Sequence, residues 1–289
     1  MLEHLSMKLS PKDTQRKELA YEKLRLRYKD YKDPWGFNLD AAKTAMDIVL
    51  PLYRNYFKVR VFGIENVKDK PYMIVSNHTG QIPIDAVLII MAFAYEFERP
   101  RVLHSMIERF MSGLPFLGNF AAQTGSILGD RDNCKWLLEQ NESILVFPEG
   151  VRGINKSTKD FYKLQTFSSG FYRIALQANA EILPISVVGA EEMFPIVFQA
   201  SKIAKKLGLP NLPLPLNLIP LPSPIDIYIG EPVKLASGLS WESPEKDLRP
   251  HIYQIEKQIK RNIHRGLEDK REFFDHLREP IKDFMSKFK

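Results

Sequence analysis

The sequence predicts an α/β protein: a mainly parallel central sheet flanked by helices, with N-terminal amphipathic helices before it and a C-terminal helical extension after it. Three observations predict this class. Short apolar runs recur at Tyr72–Ser76, Ser143–Phe147 and Ile182–Val188. Stretches of helical character alternate with them at Pro83–Tyr95, Arg131–Gln140 and Ser168–Asn179. No internal repeat is present, and strands alternating with helices read as a parallel sheet with helices on both faces.

The elements follow in chain order. Residues 12–33 are helix-prone and densely charged, and Pro34-Trp35-Gly36 breaks that helix. A second helix starts with Asn38 or Asp40 as its cap and carries Leu39, Ala42, Met46, Val49, Leu50, Tyr53 and Phe57, with Pro51 as a kink. Its wide apolar face suits packing on its own domain or lying in a membrane surface. Val59, Val61 and Ile64 mark a short strand near Gly63, and Val102–His104 another. Pro83 stands at the first position of the helix after Ser76. Around residues 196–224, seven prolines (Pro195, Pro210, Pro213, Pro215, Pro220, Pro222 and Pro224) forbid regular structure, leaving a cap over a crevice, a membrane-touching loop or an irregular packed segment. Ile225–Ile229 reads as a final strand and Pro244–Leu277 as a long charged helix or a pair of helices. The domain division is therefore 1–57, N-terminal helices with possible membrane-surface attachment; 58–235, the α/β domain; and 236–289, the helical extension.

Composition narrows the function classes. With 289 residues, 44% of them hydrophobic and 26% charged, the chain can bury a sizeable core and is not disordered. A net charge of +6 fits anionic partners such as phospholipid headgroups, coenzyme A or nucleic acid, but a plain solubility surplus accounts for it better. No nucleic-acid-binding motif is recognisable, so nucleic acid is not expected as a partner. Cys134 is the only cysteine, which excludes an internal disulfide and a Cys-based metal cluster; it reads as a packed small residue. No metal-ligand spacing emerges, and no cofactor is expected. His104 reads as a core-edge residue, and His251, His264 and His276 as solvated. There is no secretory signal pattern, and no run reaches the roughly 18–20 apolar residues that span a bilayer. Ala86–Ala94 comes closest and has the length of a core helix. The expected location is cytoplasmic, with peripheral attachment to a membrane surface.

Two short motifs carry chemistry. In the first, Asn77-His78 follows the run Tyr72–Ser76, and Asp85 lies six intervening residues beyond His78, in the first turn of the next helix. An anion is stabilised there by the helix dipole. An ionised Asp85 would accept the Nδ1–H of His78, leaving Nε2 to take a proton from a hydroxyl. Gly80 lets the loop bend back. The second motif, Phe147-Pro148-Glu149-Gly150-Val151-Arg152-Gly153, follows the run Ser143–Phe147. Backbone N–H groups around Gly150 and Gly153 suit the close approach of an anion, Arg152 suits bidentate binding of a phosphate or carboxylate, and Glu149 suits orienting a hydroxyl or locking Arg152. If the two strands are parallel, both loops leave one sheet edge and face one crevice.

The pair resembles the glycerolipid acyltransferase superfamily, which includes lysophosphatidic acid and glycerol-3-phosphate acyltransferases: an Asn-His block with a following Asp, then Phe-Pro-Glu-Gly-x-Arg. Gly125-Ser126-Ile127 leading to Arg131 resembles the second block, whose arginine is implicated in acceptor binding. Ile182-Leu183-Pro184-Ile185 followed by Val187-Val188-Gly189-Ala190 resembles the fourth, with its proline near the acyl pocket. The likeness runs from about Lys58 to Gly230. The common form has four residues between His and Asp; six here resemble a subgroup near the mono- and diacylglycerol acyltransferases. The resemblance implies an acyl-CoA or acyl carrier protein thioester as donor and a glycerolipid acceptor. It implies His78 and Asp85 as catalytic residues, Glu149, Gly150, Arg152 and Arg131 as acceptor- or phosphate-binding residues, and Pro184 at the acyl pocket. It also implies direct transfer with no acyl-enzyme, in keeping with the missing Gly-x-Ser-x-Gly elbow. A neutral-lipid acyltransferase, a hydrolase and a non-catalytic lipid-binding protein on the same scaffold are the competing readings.

Overall fold

The computed structural model describes residues 8–79, 83–107, 117–150, 153, 156, 158–194, 196–199, 213–215, 217 and 219–271. The first helix, α1 (Pro11–Arg27), starts where the sequence dictates: Ser10 caps it by accepting from the Asp13 N–H, Pro11 opens it, and Arg25 and Arg27 lie in its last turn. It ends before the Pro34-Trp35-Gly36 break expected to stop it. Tyr28 ends it instead, because its ring is buried and its hydroxyl donates to Glu142 while accepting from the Val102 N–H. The break shapes a separate turn, in which Asp33 accepts from the N–H groups of Trp35, Gly36 and Phe37.

Helix α2 (Leu39–Pro51) is capped by Asn38 and passes at Pro51 into a π-helical turn, Leu52–Tyr56. Proline lacks the N–H that would continue the regular ladder. Leu50 and Tyr53 are fully buried, so much of the apolar face of this segment is spent on the protein's own core. Helix α3 (Ile84–Tyr95) is apolar nearly all round and packs against α1, α2 and β3 in one shared core.

The sheet comprises β1 (Arg60–Phe62), β2 (Tyr72–Ser76), β3 (Leu103–Ile107), β4 (Ile127–Leu128), β5 (Ser143–Val146), β6 (Glu181–Val188) and β9 (Asp226–Ile229), in the order β1-β9-β6-β2-β5-β3-β4. Strands β6, β2, β5, β3 and β4 run parallel. Strand β9 is antiparallel to β6, and β1 follows β9, so the sheet is mixed at one edge. Its two faces are divided by strand alternation. Tyr72, Ile74, Leu145, Leu183 and Ile185 join the core under α1, α2 and α3. Met73, Val75, Ile144, Val146 and Ile182 join the core under α5 (Arg131–Glu139), α6 (Gly170–Ala178) and α7 (Glu245–Glu268). Helix α4 (Leu117–Gln123) precedes β4.

Helix α7 buries Leu248, Ile252, Ile255, Ile259 and Ile263 at intervals of three and four residues, the amphipathic period of a helix laid on a sheet. It begins after Pro244 as expected, and residues 272–289 lie outside the described residues. The proline-rich stretch departs from expectation: β7 (Ile196–Gln199) and β8 (Pro213–Pro215) pair antiparallel as a separate ribbon. Both strands of a two-stranded ribbon are edges, where proline is tolerated. Residues 200–212 lie outside the described residues. No described helix is long and apolar enough to cross a membrane.

Candidate active site

The registers of β6, β2 and β5 decide what meets. Ile74 pairs with both Leu183 and Leu145, and the three strands run the same way. Their carboxyl ends therefore share one edge, and the segments that follow them bring together His78, Glu149 and Glu191.

His78 leaves the end of β2 through Asn77. The Asn77 side chain is buried and continues the ladder past the strand, donating to the Val187 carbonyl (3.1 Å) and accepting from the Val187 N–H (2.8 Å). The His78 Nδ1 lies 2.7 Å from Asp85 Oδ2. The same oxygen accepts from the Thr79 N–H (2.9 Å) and hydroxyl (3.0 Å), and Oδ1 accepts from the Ala86 N–H (2.8 Å). Asp85 is completely buried in the first turn of α3. Burial pushes its carboxyl up, but the adjacent His78 and the hydrogen bonds from Thr79 and Ala86 outweigh it, so Asp85 sits below the usual carboxylate range and is ionised. An acceptor-only oxygen facing Nδ1 places the proton of a neutral imidazole on Nδ1 and the lone pair on Nε2. The ring stacks on Phe147, with centroids 4.4 Å apart, and its side chain keeps 16% exposure.

The second motif is built around Glu149, which is buried and fully engaged. Its Oε1 accepts from the His78 N–H (2.9 Å), and its Oε2 accepts from the Gln165 N–H (2.7 Å) and lies 3.1 Å from the Lys156 ammonium. Expected to orient a hydroxyl or lock Arg152, this carboxylate accepts from protein groups and ties the two loops together. The Gly150 N–H donates to the Phe147 carbonyl and the Gly153 N–H to the Gly150 carbonyl, so neither backbone donor points at an external anion. Gly153 serves close packing instead: a Cβ there would stand 2.8 Å from Glu149 Cβ and 3.0 Å from His78 Cβ. Arg152 and Gly80 lie outside the described residues.

The other predicted residues sit further off. Arg131 is exposed at the start of α5, its guanidinium 4.9 Å over the Trp241 ring. Strand β4, which precedes it, is three strand positions from β2, on the order of 14 Å across the sheet. Pro184 is buried within β6 opposite Val75. Its carbonyl accepts from the Gly230 N–H, and its ring lies on the α7 side, against Gly230. Cys134 is buried, and that burial pushes its thiol up to about 12, away from the reactive thiolate. His104 is fully buried rather than at the core edge, with Nδ1 against the Gly125 carbonyl at 2.9 Å. His251 stacks on Tyr172, and His276 lies outside the described residues.

Sequence reading missed Lys156 and Glu191. Lys156 is buried, with its ammonium 3.1 Å from Glu149, 3.1 Å from Glu191 and 3.3 Å from the His78 carbonyl. Glu191 follows β6 and also accepts from the Tyr162 N–H. Burial raises its carboxyl to about 7, against the opposing pull of Lys156. Only the crowding of all three segments at one sheet edge reveals this cluster.

Residues 58–188 match the family model described as Acyltransferase, and the chain belongs to the glycerolipid acyltransferase superfamily. An uncharacterized protein of Mycobacterium tuberculosis is 31% identical over 242 residues, covering 78% of this chain and 68% of its own length. The 1-acyl-sn-glycerol-3-phosphate acyltransferase of Saccharomyces cerevisiae is 26% identical over 140 residues, 45% of this chain and 42% of that protein. Among solved structures, the 1-acyl-sn-glycerophosphate (LPA) acyltransferase PlsC of Thermotoga maritima superposes with a TM-score of 0.53 over 88% of this chain and 95% of that one. At 17% identity that likeness is one of fold.

Proposed function

We propose that this protein moves a fatty acyl group from an acyl-CoA or acyl carrier protein thioester to the hydroxyl of a glycerolipid acceptor resembling lysophosphatidic acid. The observation that carries the reading is the 2.7 Å contact between His78 Nδ1 and a buried, ionised Asp85. With Nδ1 committed, Nε2 takes the proton of the acceptor hydroxyl as its oxygen attacks the thioester carbonyl. The carbon–sulfur bond then breaks, and the imidazolium returns the proton to the departing thiolate. Arg152 holds the acceptor phosphate. The name of the yeast relative, a 1-acyl-sn-glycerol-3-phosphate acyltransferase, favours a phosphorylated acceptor.

Purified protein is incubated with labelled acyl-CoA or acyl carrier protein and a panel of lysophosphatidic acid, glycerol 3-phosphate, monoacylglycerol and diacylglycerol. The expected outcome is ester formation on lysophosphatidic acid, lost in His78→Ala. Ester on the neutral acceptors alone moves the assignment to a neutral-lipid acyltransferase. Release of free acid makes the protein a thioesterase, and an active His78→Ala overturns the mechanism.

Attachment to a membrane surface is part of the same proposal. It is supported by the exposed Leu19 (57%), Leu26 (66%) and Ile48 (59%) on α1 and α2. Deleting these helices would strip the core of Leu24 and Leu50, so the test is charge insertion. Replacing the three residues with Glu should abolish flotation with anionic vesicles, and undiminished flotation rejects the role.

A further inference from the structure

The mechanism so far uses the imidazole and Asp85, yet the main chain of His78 is held as firmly as its ring. Its N–H donates to Glu149 Oε1 at 2.9 Å, and its carbonyl accepts from the Lys156 ammonium at 3.3 Å. Lys156 also reaches Glu149 Oε2 and Glu191 Oε1, each at 3.1 Å. The ammonium donates to the His78 carbonyl and to Glu191, and pairs ionically with Glu149. The side chain is buried, and both partner carboxylates are nearly inaccessible. A buried charge is tolerated only when paired and hydrogen-bonded, which fixes the Lys156 geometry closely.

The cluster has a further ring of support. The Tyr162 N–H donates to the second oxygen of Glu191, and the Tyr162 hydroxyl donates to Glu192 at 2.7 Å while accepting from the Gly189 N–H at 3.0 Å. Lys270 pairs with Glu192. Segments following β2, β5 and β6 are thus joined through one ammonium.

We propose that Lys156 is a positioning residue, held between Glu149 and Glu191, that grips the His78 peptide from both sides and so sets where Nε2 meets the acceptor hydroxyl. The role presupposes His78 as the base. Lys156 touches no reacting atom. It acts directly on the His78 carbonyl and, through Glu149, on the His78 N–H. A ring free to shift by about an ångström loses on the order of 10²-fold in rate without losing its substrate.

Lys156→Met and Lys156→Arg are compared with wild type and His78→Ala in full-length protein. Circular dichroism verifies the fold, kcat and KM are measured for the donor and for lysophosphatidic acid, and ¹⁵N-histidine spectra follow the His78 ring against Asp85. In Lys156→Met, kcat should fall by about 10–100-fold, with each KM within about twofold of wild type. Lys156→Arg should restore most of the turnover, and the His78 signals should shift or broaden in the Met variant alone. A folded Lys156→Met with wild-type kcat, or with a loss confined to KM, overturns the proposal. Should Lys156→Met fail to fold, Glu191→Gln takes its place: lowered kcat at constant KM is expected, and unchanged kcat overturns the role. A wild type that transfers no acyl group, or an active His78→Ala, defeats the base assignment instead. The spectra then still decide the clamp, which falls if the His78 signals do not change when Lys156 is replaced.

Discussion

His78 is fixed at three of its atoms, by residues of α3 and of the segment that follows β5. Asp85 holds Nδ1, Glu149 holds the N–H and Lys156 holds the carbonyl. Asp85→Asn keeps the shape but replaces the acceptor-only oxygen with an amide that can present a donor to Nδ1. Steady-state assays should show kcat down by about 10²–10⁴-fold with the fold retained; a loss under about threefold would remove Asp85 from the mechanism. Gly153→Ala drives a methyl into the Cβ atoms of Glu149 and His78. It should cost about 1–3 kcal/mol of stability by chemical denaturation and reduce turnover as well. The His78–Asp85 contact was legible because one short loop contains both residues. The work of Glu149 was not, because a carboxylate beside an arginine in sequence looks like a ligand-binding group. What it holds, 71 positions away at the end of the neighbouring strand, is invisible locally.

Elements show the same division. The apolar runs of β2, β5 and β6 and the cap at Asn38 are local signals, and the chain obeys them. The reversal of β9 against β6 is not a local signal, since an apolar run carries no direction; the path of the preceding chain sets it. The end of α1 likewise depends on a buried partner for Tyr28 that lies 114 residues away. Two substitutions measure the helices of the second face. Ile255→Ala in α7 removes a fully buried side chain from the sheet face and should cost about 2–5 kcal/mol in denaturant titrations. Gly170→Ala, at the first position of α6, meets nothing within 4 Å and should stabilise by about 0.4–1 kcal/mol.

Across the whole molecule, proton binding links the site to stability. Asp85 is held below its ordinary 3.8, so its contribution is present above that value and is lost as the pH falls through the lower folded value. Glu191 runs the other way: raised from 4.5 to about 7, it binds more protons folded than unfolded inside that window, so its contribution to stability declines as the pH rises across it. Urea midpoints measured from pH 5 to 7 should carry that decline, and Glu191→Gln should flatten it; an equal slope in both proteins would show that another group is responsible. The meeting of three strand ends at one corner has a kinetic consequence. Glu149 stands 71 residues from His78, and Lys156 stands 78 from His78 and 35 from Glu191. Such distant partners meet only after long stretches of chain have been closed, and early local structure cannot supply them. During refolding from urea, enzymatic competence should therefore never return ahead of native tryptophan fluorescence, and any collapsed intermediate should be inert.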